Sequence, residues 1–421
     1  MIVAVIGSGG REHAICTSIK KSKKINKIYC IPGNAGTGLI GENIDIQIDN
    51  FEKIKNFVLE NKVDIVIIGP EKPLVKGIVD YLQKFNIKVF GPKKISSQLE
   101  GSKIFTKKLC EKQNIPTAKF GIFKNSNDAE KFFQTCVFPI VVKADGLAAG
   151  KGVYICEDYP QAMLAVNEIF DGKFGKANEV LVEEFLIGEE MSFFIISDGK
   201  NFKTFGTAQD HKRVFEGDKG KNTGGMGAYS PSRLENKSLN EKILKKIIIP
   251  TLEGLNKMQT EFVGFLYAGL MIINEEPFLI EYNVRMGDPE CQTILPKLKT
   301  DLLEIINACL NKNLDSIKIE WNNDKSLCVV LCSKGYPEEY KNNLEIRNLD
   351  KIFTQRNEFI FHAGTKMVNS KNYSNGGRVL NFTVTSKSFK ESRNKAINLI
   401  EQINWFNGFY RKDIGFKVID K

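Results

Sequence analysis

The sequence predicts an α/β protein that begins with a parallel sheet flanked by helices. Over the first hundred residues, short apolar runs alternate with helical segments, and the runs end at loops rich in glycine or proline. This alternation favours a parallel sheet with helices on both faces. The chain of 421 residues is long enough for roughly two to four domains. Hydrophobic residues make up 42% and charged residues 26%, which excludes collagen-like, fibrous and broadly disordered chains.

The first domain contains four predicted strands. They span residues 2–6, 28–31, 63–68 and 88–90, and helices are predicted at about 11–20 and 51–60. Ligands of such sheets bind beyond the carboxyl ends of the strands. The first of these ends, Gly7-Ser8-Gly9-Gly10, presents backbone N–H groups and a helix start, which suits a phosphate. A tight turn without a ligand is the alternative, and Glu12 breaks the dinucleotide fingerprint G-x-G-x-x-G.

The pattern changes after Gly101. A helix is predicted over 102–113, and strands are predicted over 140–143, 180–185 and 191–197, followed by a long polar, glycine-rich segment at 207–231. Residues 265–273 and 278–283 form a predicted strand pair across the turn at 275–277. A helix after Asp301, a polar linker at 311–325 and further strands from 327 complete the chain.

Charge and cysteine content narrow the function classes. The net charge of +10 suits an enzyme with anionic substrates and also weak nucleic-acid binding, although a surface of solvated lysines is the simpler interpretation. The nine cysteines show no C-x-x-C spacing and only three histidines are present, so we expect a reducing cytoplasm without disulfides or a zinc site. We also expect no membrane helix and no signal peptide, because no apolar run is long enough and no charged region precedes the first one.

A glycine-rich loop follows a predicted strand in the middle of the chain. Lys143 ends the strand, and Gly146, Gly150, Lys151 and Gly152 follow. Glycines let the backbone approach a ligand closely, and lysines offset phosphate charge. The spacing does not match a Walker A loop. A mobile hairpin over a triphosphate is one interpretation, and an ordinary flexible turn is the other.

Carboxylates mark two further strand ends. The segment Val182 to Leu186, with Glu190 after it, offers backbone groups for adenine and a carboxylate for ribose, or else is a solvated acidic strand end. Glu281 and Asn283 are two residues apart on a strand and therefore face the same side. Their oxygen atoms suit Mg²⁺, which commonly keeps phosphates and water as its other ligands. Surface ion pairs are the alternative.

These segments together resemble the phosphoribosylamine–glycine ligase family (glycinamide ribonucleotide synthetases) of the ATP-grasp superfamily. The matching motifs, in chain order, are GSGGREHA at 7–14, PGNAGT at 32–37, GPEKPL at 69–74, KADGLAAGKGV at 143–153, QDHKR at 209–213, NTGGMGAYSP at 222–231, GDPE at 287–290, HAGT at 362–365 and GGRVL at 376–380. The resemblance extends over nearly the whole chain.

The resemblance implies an architecture and a reaction. It implies an N-terminal substrate-binding α/β domain at 1–101, an ATP-grasp body at 102–326 with a mobile lid subdomain at about 118–190, and a small C-terminal α+β domain at 327–421. ATP, glycine and 5-phosphoribosylamine would give ADP, phosphate and glycinamide ribonucleotide through glycyl phosphate, in de novo purine biosynthesis. Mg²⁺ would be the metal, with Mn²⁺ as a substitute. The partners would be these small molecules, without nucleic acid or membrane, and the chain would be a monomer or a weak homo-oligomer.

The resemblance also implies roles for individual residues. ATP would be bound by Lys103, Lys143, Gly150, Lys151, Gly152, Glu183, Glu184, Phe185, Leu186 and Glu190. The substrates would be bound by Gly9, Gly10, Arg11, Asn34, Glu71, Asp210, Arg285, Gly287 and Arg378. Glu281 and Asn283 would bind the metal, and Arg285 and Asp210 would act in catalysis. We interpret His13 and His211, which lie within these motifs, as structural residues.

Three other interpretations remain open from the residues alone. Another ATP-grasp ligase, such as a carboxylase, would share the nucleotide site but not the QDHKR and N-terminal motifs. A dinucleotide-dependent oxidoreductase would use the first glycine loop. A nucleic-acid-binding module would use the positive charge and the lysine cluster at 20–27, although no aromatic and basic stripe accompanies it.

Overall fold

The computed structural model describes residues 1–147 and 152–419. Its N-terminal part forms the predicted parallel sheet. Five strands lie in the order β3-β2-β1-β4-β5, and every neighbouring pair is parallel. The strands are β1 Ile2–Gly7, β2 Lys27–Pro32, β3 Glu42–Asn43, β4 Ile65–Ile68 and β5 Val89–Phe90. The helices are α1 Gly10–Ile19, α2 Thr37–Ile40, α3 Phe51–Glu60, α4 Glu71–Lys76, α5 Ile78–Gln83, α6 Gln98–Gly101 and α7 Lys103–Gln113. Every residue of β4 is buried, as expected where helices cover both faces of a sheet.

A second, smaller sheet lies in the region predicted as the lid. Its strands are β6 Phe120–Phe123, β7 Ile140–Ala144, β8 Val153–Cys156 and β9 Val180–Glu184, and its helices are α8 Ser126–Phe133 and α9 Tyr159–Phe170. The strands are antiparallel in the order β6-β9-β7-β8. Asn125 and Asp158 cap the two helices, whose apolar faces close a core separate from the others. The mobility of this unit stays a prediction.

The body of the molecule is built on a large antiparallel sheet. The strands of this body are β10 Glu189–Asp198, β11 Phe202–Asp210, β12 Arg213–Phe215, β13 Lys219–Asn222, β14 Gly227–Ser230, β15 Val263–Ile273, β16 Glu276–Asn283 and β17 Lys325–Ser333. Its helices are α10 Lys237–Ile243, α11 Ile249–Lys257, α12 Glu290–Ile294 and α13 Leu302–Leu310. A π-helical stretch, Leu244–Ile248, joins α10 to α11. The polar segment 207–231 thus contains a hairpin, β12 with β13, and the buried strand β14.

The C-terminal part continues this sheet and has the predicted α+β character. Its elements are β18 Glu358–His362, β19 Thr365–Val368, β20 Lys371–Ser374, β21 Arg378–Ser386, β22 Gly408–Phe409, α14 Phe389–Ile403 and α15 Phe416–Ile419. The sheet order β16-β15-β10-β11-β14-β17-β21-β18 therefore extends from the body into the C-terminal part. The predicted boundary after residue 326 falls inside β17, which pairs with β14 on one side and β21 on the other.

No helix in the described ranges is long and apolar enough to cross a membrane.

Candidate active site

A polar cavity of about 530 Å³ lies where the N-terminal sheet, the small sheet and the large sheet meet. It gathers many of the residues singled out from the sequence, namely Arg11, Glu71, Lys103, Lys143, Gly152, Glu183, Asp210, Glu281, Asn283, Arg285, Gly287 and Arg378. A larger and more open groove of about 1110 Å³ lies elsewhere, between residues 231–244 and 387–390, and contains none of them. The convergence of charged residues, rather than size, identifies the smaller cavity as the candidate site.

Three lysines and one glutamate form the cationic wall of the cavity. Glu183, whose side chain is 4% exposed, lies 2.8 Å from the ammonium of Lys143 and 3.3 Å from that of Lys107. Lys103 donates a hydrogen bond to the carbonyl of Gly146 at 2.9 Å, and burial lowers the pKa of its ammonium. This wall matches a polyphosphate in charge.

Lys107 is a cavity residue that the sequence analysis missed. It lies one helical turn after Lys103 on α7, and this i, i+4 spacing placed both on one face. Its ammonium donates to the hydroxyl of Thr117 at 2.6 Å. The spacing on a predicted helix was the available signal.

Of the residues predicted to hold adenine and ribose, Glu183 lines the cavity, whereas Glu184, Phe185, Leu186 and Glu190 lie beside it. The amide of Glu184 donates to the carbonyl of Lys119 at 2.9 Å, so that N–H group is occupied by the β6–β9 ladder. Phe185 and Leu186 are half-buried in the connection from β9 to β10. Glu190 pairs with Lys212, a cavity residue, at 2.7 Å. Their nucleotide contacts stay predictions, and Gly150 and Lys151 lie outside the described residues.

Glu281 and Asn283 both line the cavity, as their spacing on β16 requires. They lie opposite Gly269 and Tyr267 of β15. Within residues 1–147 and 152–419, no three histidine, cysteine or acidic side chains come together as a metal cluster. A carboxylate and an amide oxygen fit Mg²⁺, which takes only one or two protein ligands when phosphates supply the others.

Arg285 occupies a partly buried position between two glutamates. Its guanidinium lies 2.7 Å from Glu100 and 3.2 Å from Glu71. Burial raises the pKa of Glu100 to about 7, even though Arg285 acts in the opposite direction. Burial also favours a higher pKa for Glu71, but Arg285 and Arg11 outweigh it and lower that pKa. Sequence reasoning missed Glu100, which no motif marks.

A second group of titratable residues surrounds Asp210. Burial raises the pKa of Asp210 to about 7, and Glu290 adds to the shift. The buried carboxyl of Glu290 lies 3.5 Å from the hydroxyl of Ser192, which donates to the phenol of Tyr267 at 3.0 Å. Burial and these neighbouring carboxyls raise the pKa of Tyr267. Lys212, Tyr267 and Glu290 line the cavity but were not among the predicted site residues.

The N-terminal glycine loop supports the cavity from behind. The amide of Gly9 donates to the Glu12 carboxylate at 2.6 Å, and the side-chain amide of Asn34 donates to the carbonyl of His362 at 2.9 Å. A Cβ atom on Gly10 would lie 2.4 Å from Asn381, so the C-terminal part packs directly against this loop. These contacts hold Arg11 at the cavity, whereas phosphate binding by Gly9, Gly10 and Asn34 stays a prediction.

Arg378 brings the C-terminal part to the cavity. Its guanidinium lies 3.4 Å from the carboxylate of Asp288 and donates to the carbonyl of Gly224 at 2.6 Å. A Cβ atom on Gly287 would lie 2.3 Å from Glu290, which explains a glycine at the start of this turn.

Family models match three successive parts of the chain. Residues 1–100 match the N domain of phosphoribosylglycinamide synthetase, residues 101–291 its ATP-grasp (A) domain and residues 326–417 its C domain. The phosphoribosylamine–glycine ligase of Brucella melitensis is 44% identical over 100% of this chain and 99% of that protein.

Solved structures show the same likeness. The crystal structure of the phosphoribosylamine–glycine ligase of Thermotoga maritima matches with a TM-score of 0.86 and 32% identity, over 99% of this chain and 100% of that one. The biotin carboxylase domain of the Hydrogenobacter thermophilus 2-oxoglutarate carboxylase, solved with MgADP, matches with a TM-score of 0.71 and 15% identity, over 95% of this chain and 89% of that one. This second likeness concerns the fold alone.

Proposed function

The chain belongs to the phosphoribosylglycinamide synthetase family of carbon–nitrogen ligases, and from this premise we propose that it joins glycine to 5-phosphoribosylamine with conversion of ATP to ADP and phosphate. The product would be glycinamide ribonucleotide, in the de novo purine pathway of the cytoplasm. The supporting observation is the convergence of lysines, a carboxylate–amide pair and three arginines in one cavity.

The chemistry of the substrates explains why ATP is needed. A glycine carboxylate is a poor electrophile, and transfer of the γ-phosphoryl group to one of its oxygens gives glycyl phosphate. The amine of phosphoribosylamine then attacks the carbonyl carbon, the C–N bond forms, and phosphate leaves with the bridging oxygen. No covalent enzyme nucleophile takes part, so the protein has to position reactants, balance charge and exclude water.

The cavity residues divide between these tasks. Lys103 and Lys143 would bind the ATP phosphates, and the loop containing Gly150 would cover them. Glu281 and Asn283 would hold Mg²⁺ or Mn²⁺, which neutralises phosphate charge when bound. Asp210 would orient the attacking amine and accept the proton that the nitrogen loses, because a carboxylate whose acid form has a pKa of about 7 can take up a proton near neutral pH.

The remaining residues would select the substrates. Arg11, with Glu71 and Arg378, would bind the sugar phosphate, while Arg285 would stabilise the transferring phosphoryl group or the glycine carboxylate. Arg285 is held by Glu71 and Glu100 in the present structure. Because a guanidinium has five N–H donors, it can contact a substrate while keeping both carboxylates. We propose a monomer or a weak homo-oligomer as the active form.

One assay tests the proposed reaction. ADP release is measured with ATP and Mg²⁺, while glycine and freshly prepared phosphoribosylamine are each omitted in turn. We expect release only when both are present. If ADP release needs neither, the ligase proposal is wrong. NADH absorbance and salt-dependent nucleic-acid binding on the same preparation test the oxidoreductase and nucleic-acid alternatives.

A further inference from the structure

Two cavity residues, Asp210 and Lys212, lie on either side of a residue that faces away from the cavity. The strand ladder continues past Asp210, because the amide of His211 donates to the carbonyl of Gly227 at 2.9 Å. Residues two apart on an extended strand share a face, so Asp210 and Lys212 point into the cavity together and His211 points to the opposite side.

The His211 side chain is fixed by the C-terminal segment 411–417. It is 1% exposed, and its Nε2 atom accepts a hydrogen bond from the amide of Gly415 at 2.8 Å. A nitrogen that accepts cannot carry the proton, so the proton of the neutral ring lies on Nδ1. That atom faces the carboxylate of Asp218 at 3.6 Å, which is an electrostatic contact just beyond hydrogen-bond distance. Burial lowers the pKa of His211, in agreement with a neutral ring.

Asp218 in turn is held by two cations of the same segment. The guanidinium of Arg411 lies 2.9 Å from its carboxylate, and the ammonium of Lys417 lies 2.7 Å from it. Arg411 is 1% exposed and also binds Asp413 and the carbonyl of Arg213, each at 2.9 Å. These charge-assisted bonds fasten the β12–β13 hairpin to the end of the chain.

We propose that this set of contacts, from Arg411 and Lys417 through Asp218 to His211, is a positioning device that sets the direction of Asp210 and Lys212 in the cavity. The C-terminal segment would therefore act on the reaction without touching a substrate. Only the kinetic tests of this proposal rest on the proposed function, because they need a ligase reaction to measure. A shift of about 1 Å in a reacting group costs on the order of 100-fold in rate, so loosening the strand at His211 should be measurable.

The first experiment compares Asp218→Asn with Asp324→Asn in the full-length protein. Asp324 is a matched control, because its side chain is also 27% exposed and is paired with one lysine, Lys387, at 2.7 Å. We expect Asp218→Asn to lower kcat about tenfold or more with little change in ATP affinity. Asp324→Asn should match the unmodified protein. Equal kinetics for the two variants would overturn the proposal.

The second experiment separates positioning from loss of packing. In His211→Gln the side-chain oxygen keeps an acceptor near Nε2 for the amide of Gly415, whereas His211→Leu removes it. We expect the glutamine variant to retain most of the kcat that the leucine variant loses. In an Asp210→Asn background the effect of His211→Leu should be smaller than in the unmodified protein, since the part that acts through Asp210 is already lost. Independent, multiplicative losses would contradict the proposal.

A third measurement needs no substrate. Amide hydrogen exchange at residues 209–213 should be faster in Asp218→Asn than in Asp324→Asn, because the anchored strand end opens more often. Unchanged exchange there would refute the positioning device. If the unmodified protein lacks ligase activity but the exchange difference is present, the proposed function fails while the positioning device stands.

Discussion

Glu281 lines the cavity on β16 and is the charged member of the proposed metal pair. Replacing it with alanine removes a carboxylate ligand, so we expect Mg²⁺-dependent ADP release to fall by about 100-fold or more while the fold stays intact. Glu276 on the same strand is the control, because it lies outside the cavity and pairs with Lys242 and Lys246 at the surface. Glu276→Ala should keep normal activity. Full activity of Glu281→Ala over a Mg²⁺ titration would remove Glu281 from the metal site.

Lys107 belongs to the cationic wall of the cavity and is fully buried. Without it, Glu183 loses one of its two ion-pair partners in the described part of the chain and keeps Lys143. The ammonium of Lys143 is then held more firmly by the glutamate and is less available to phosphate. We expect Lys107→Met to lower the free energy of unfolding by about 1–3 kcal/mol and to raise the KM for ATP. The neighbouring Lys108 is exposed, and Lys108→Met serves as the control. Identical urea midpoints for the two variants would show that Glu183 does not need Lys107.

At the scale of elements, the β1–α1 loop packs against α12 and β21 without space to spare. A Cβ atom on Gly10 would lie 2.4 Å from the side-chain nitrogen of Asn381 and 2.5 Å from that of Gln292. We expect Gly10→Ala to destabilise the protein by about 1–3 kcal/mol through overpacking. Gly38→Ala, whose nearest neighbour lies at 3.2 Å, is the control and should cost less.

A second substitution sharpens this measurement. Asn381→Ser shortens the side chain that the new methyl group would meet, so thermal unfolding of Gly10→Ala with Asn381→Ser should show a smaller loss than the sum of the two single variants. Strictly additive losses would mean that this contact does not explain the glycine.

The elements that the sequence predicted well are those with a strong apolar period. The four predicted parallel strands are mostly buried runs such as Ile65–Ile68, and their ends differ from the prediction by at most two residues. The fifth strand, β3, was not predicted, because it has only two residues and both are exposed. The β12–β13 hairpin was not predicted because its strands are largely exposed and polar, so no alternation marks them. It is held instead by distant cations such as Arg411, which sequence spacing cannot reveal.

The site was predictable to the extent that its residues share an element or a motif. Glu281 and Asn283 followed from strand alternation, and Asp210 followed from the QDHKR motif. Glu100 enters the cavity only because α6 is brought beside β16 by the fold. Proximity of this kind depends on tertiary packing, and a single sequence carries no direct signal for it.

At the scale of the whole molecule, the N-terminal and C-terminal parts meet at a buried histidine pair. The Nδ1 atom of His13 on α1 accepts a hydrogen bond from the amide of His362 on β18 at 2.8 Å. The ring of His362 shares a hydrogen bond with the hydroxyl of Thr365 at 3.0 Å. This contact connects two ends of the chain that both supply arginines to the cavity, Arg11 and Arg378.

As the pH falls, this histidine contact should weaken at a higher pH than that at which most carboxylates take up protons. Burial lowers the pKa of His13 to about 3 and that of His362 to about 4, so both rings are neutral in the folded protein. In the unfolded chain they take up protons near pH 6.5. The two rings therefore contribute fully to the free energy of unfolding above about pH 6.5. This contribution is lost as the pH falls from 6.5 toward the pKa values of the rings in the folded protein, by up to about 1.4 kcal/mol per pH unit for each ring.

A non-titrating variant isolates this effect. Asn at position 13 keeps a side-chain oxygen near the Nδ1 position, so His13→Asn retains an acceptor for the His362 amide. The variant should lose less stability than the unmodified protein when urea unfolding is compared from pH 7 down to pH 4.5.

Asp210 and Glu100, whose pKa values burial raises to about 7, stabilise the folded protein as the pH falls and so act in the opposite direction, but they are common to both proteins and cancel in the difference. The difference should be flat between pH 7 and 8, which serves as the internal control. A difference that does not change between pH 7 and 4.5 would mean that His13 titrates alike in the folded and unfolded chains and plays no part in acid sensitivity.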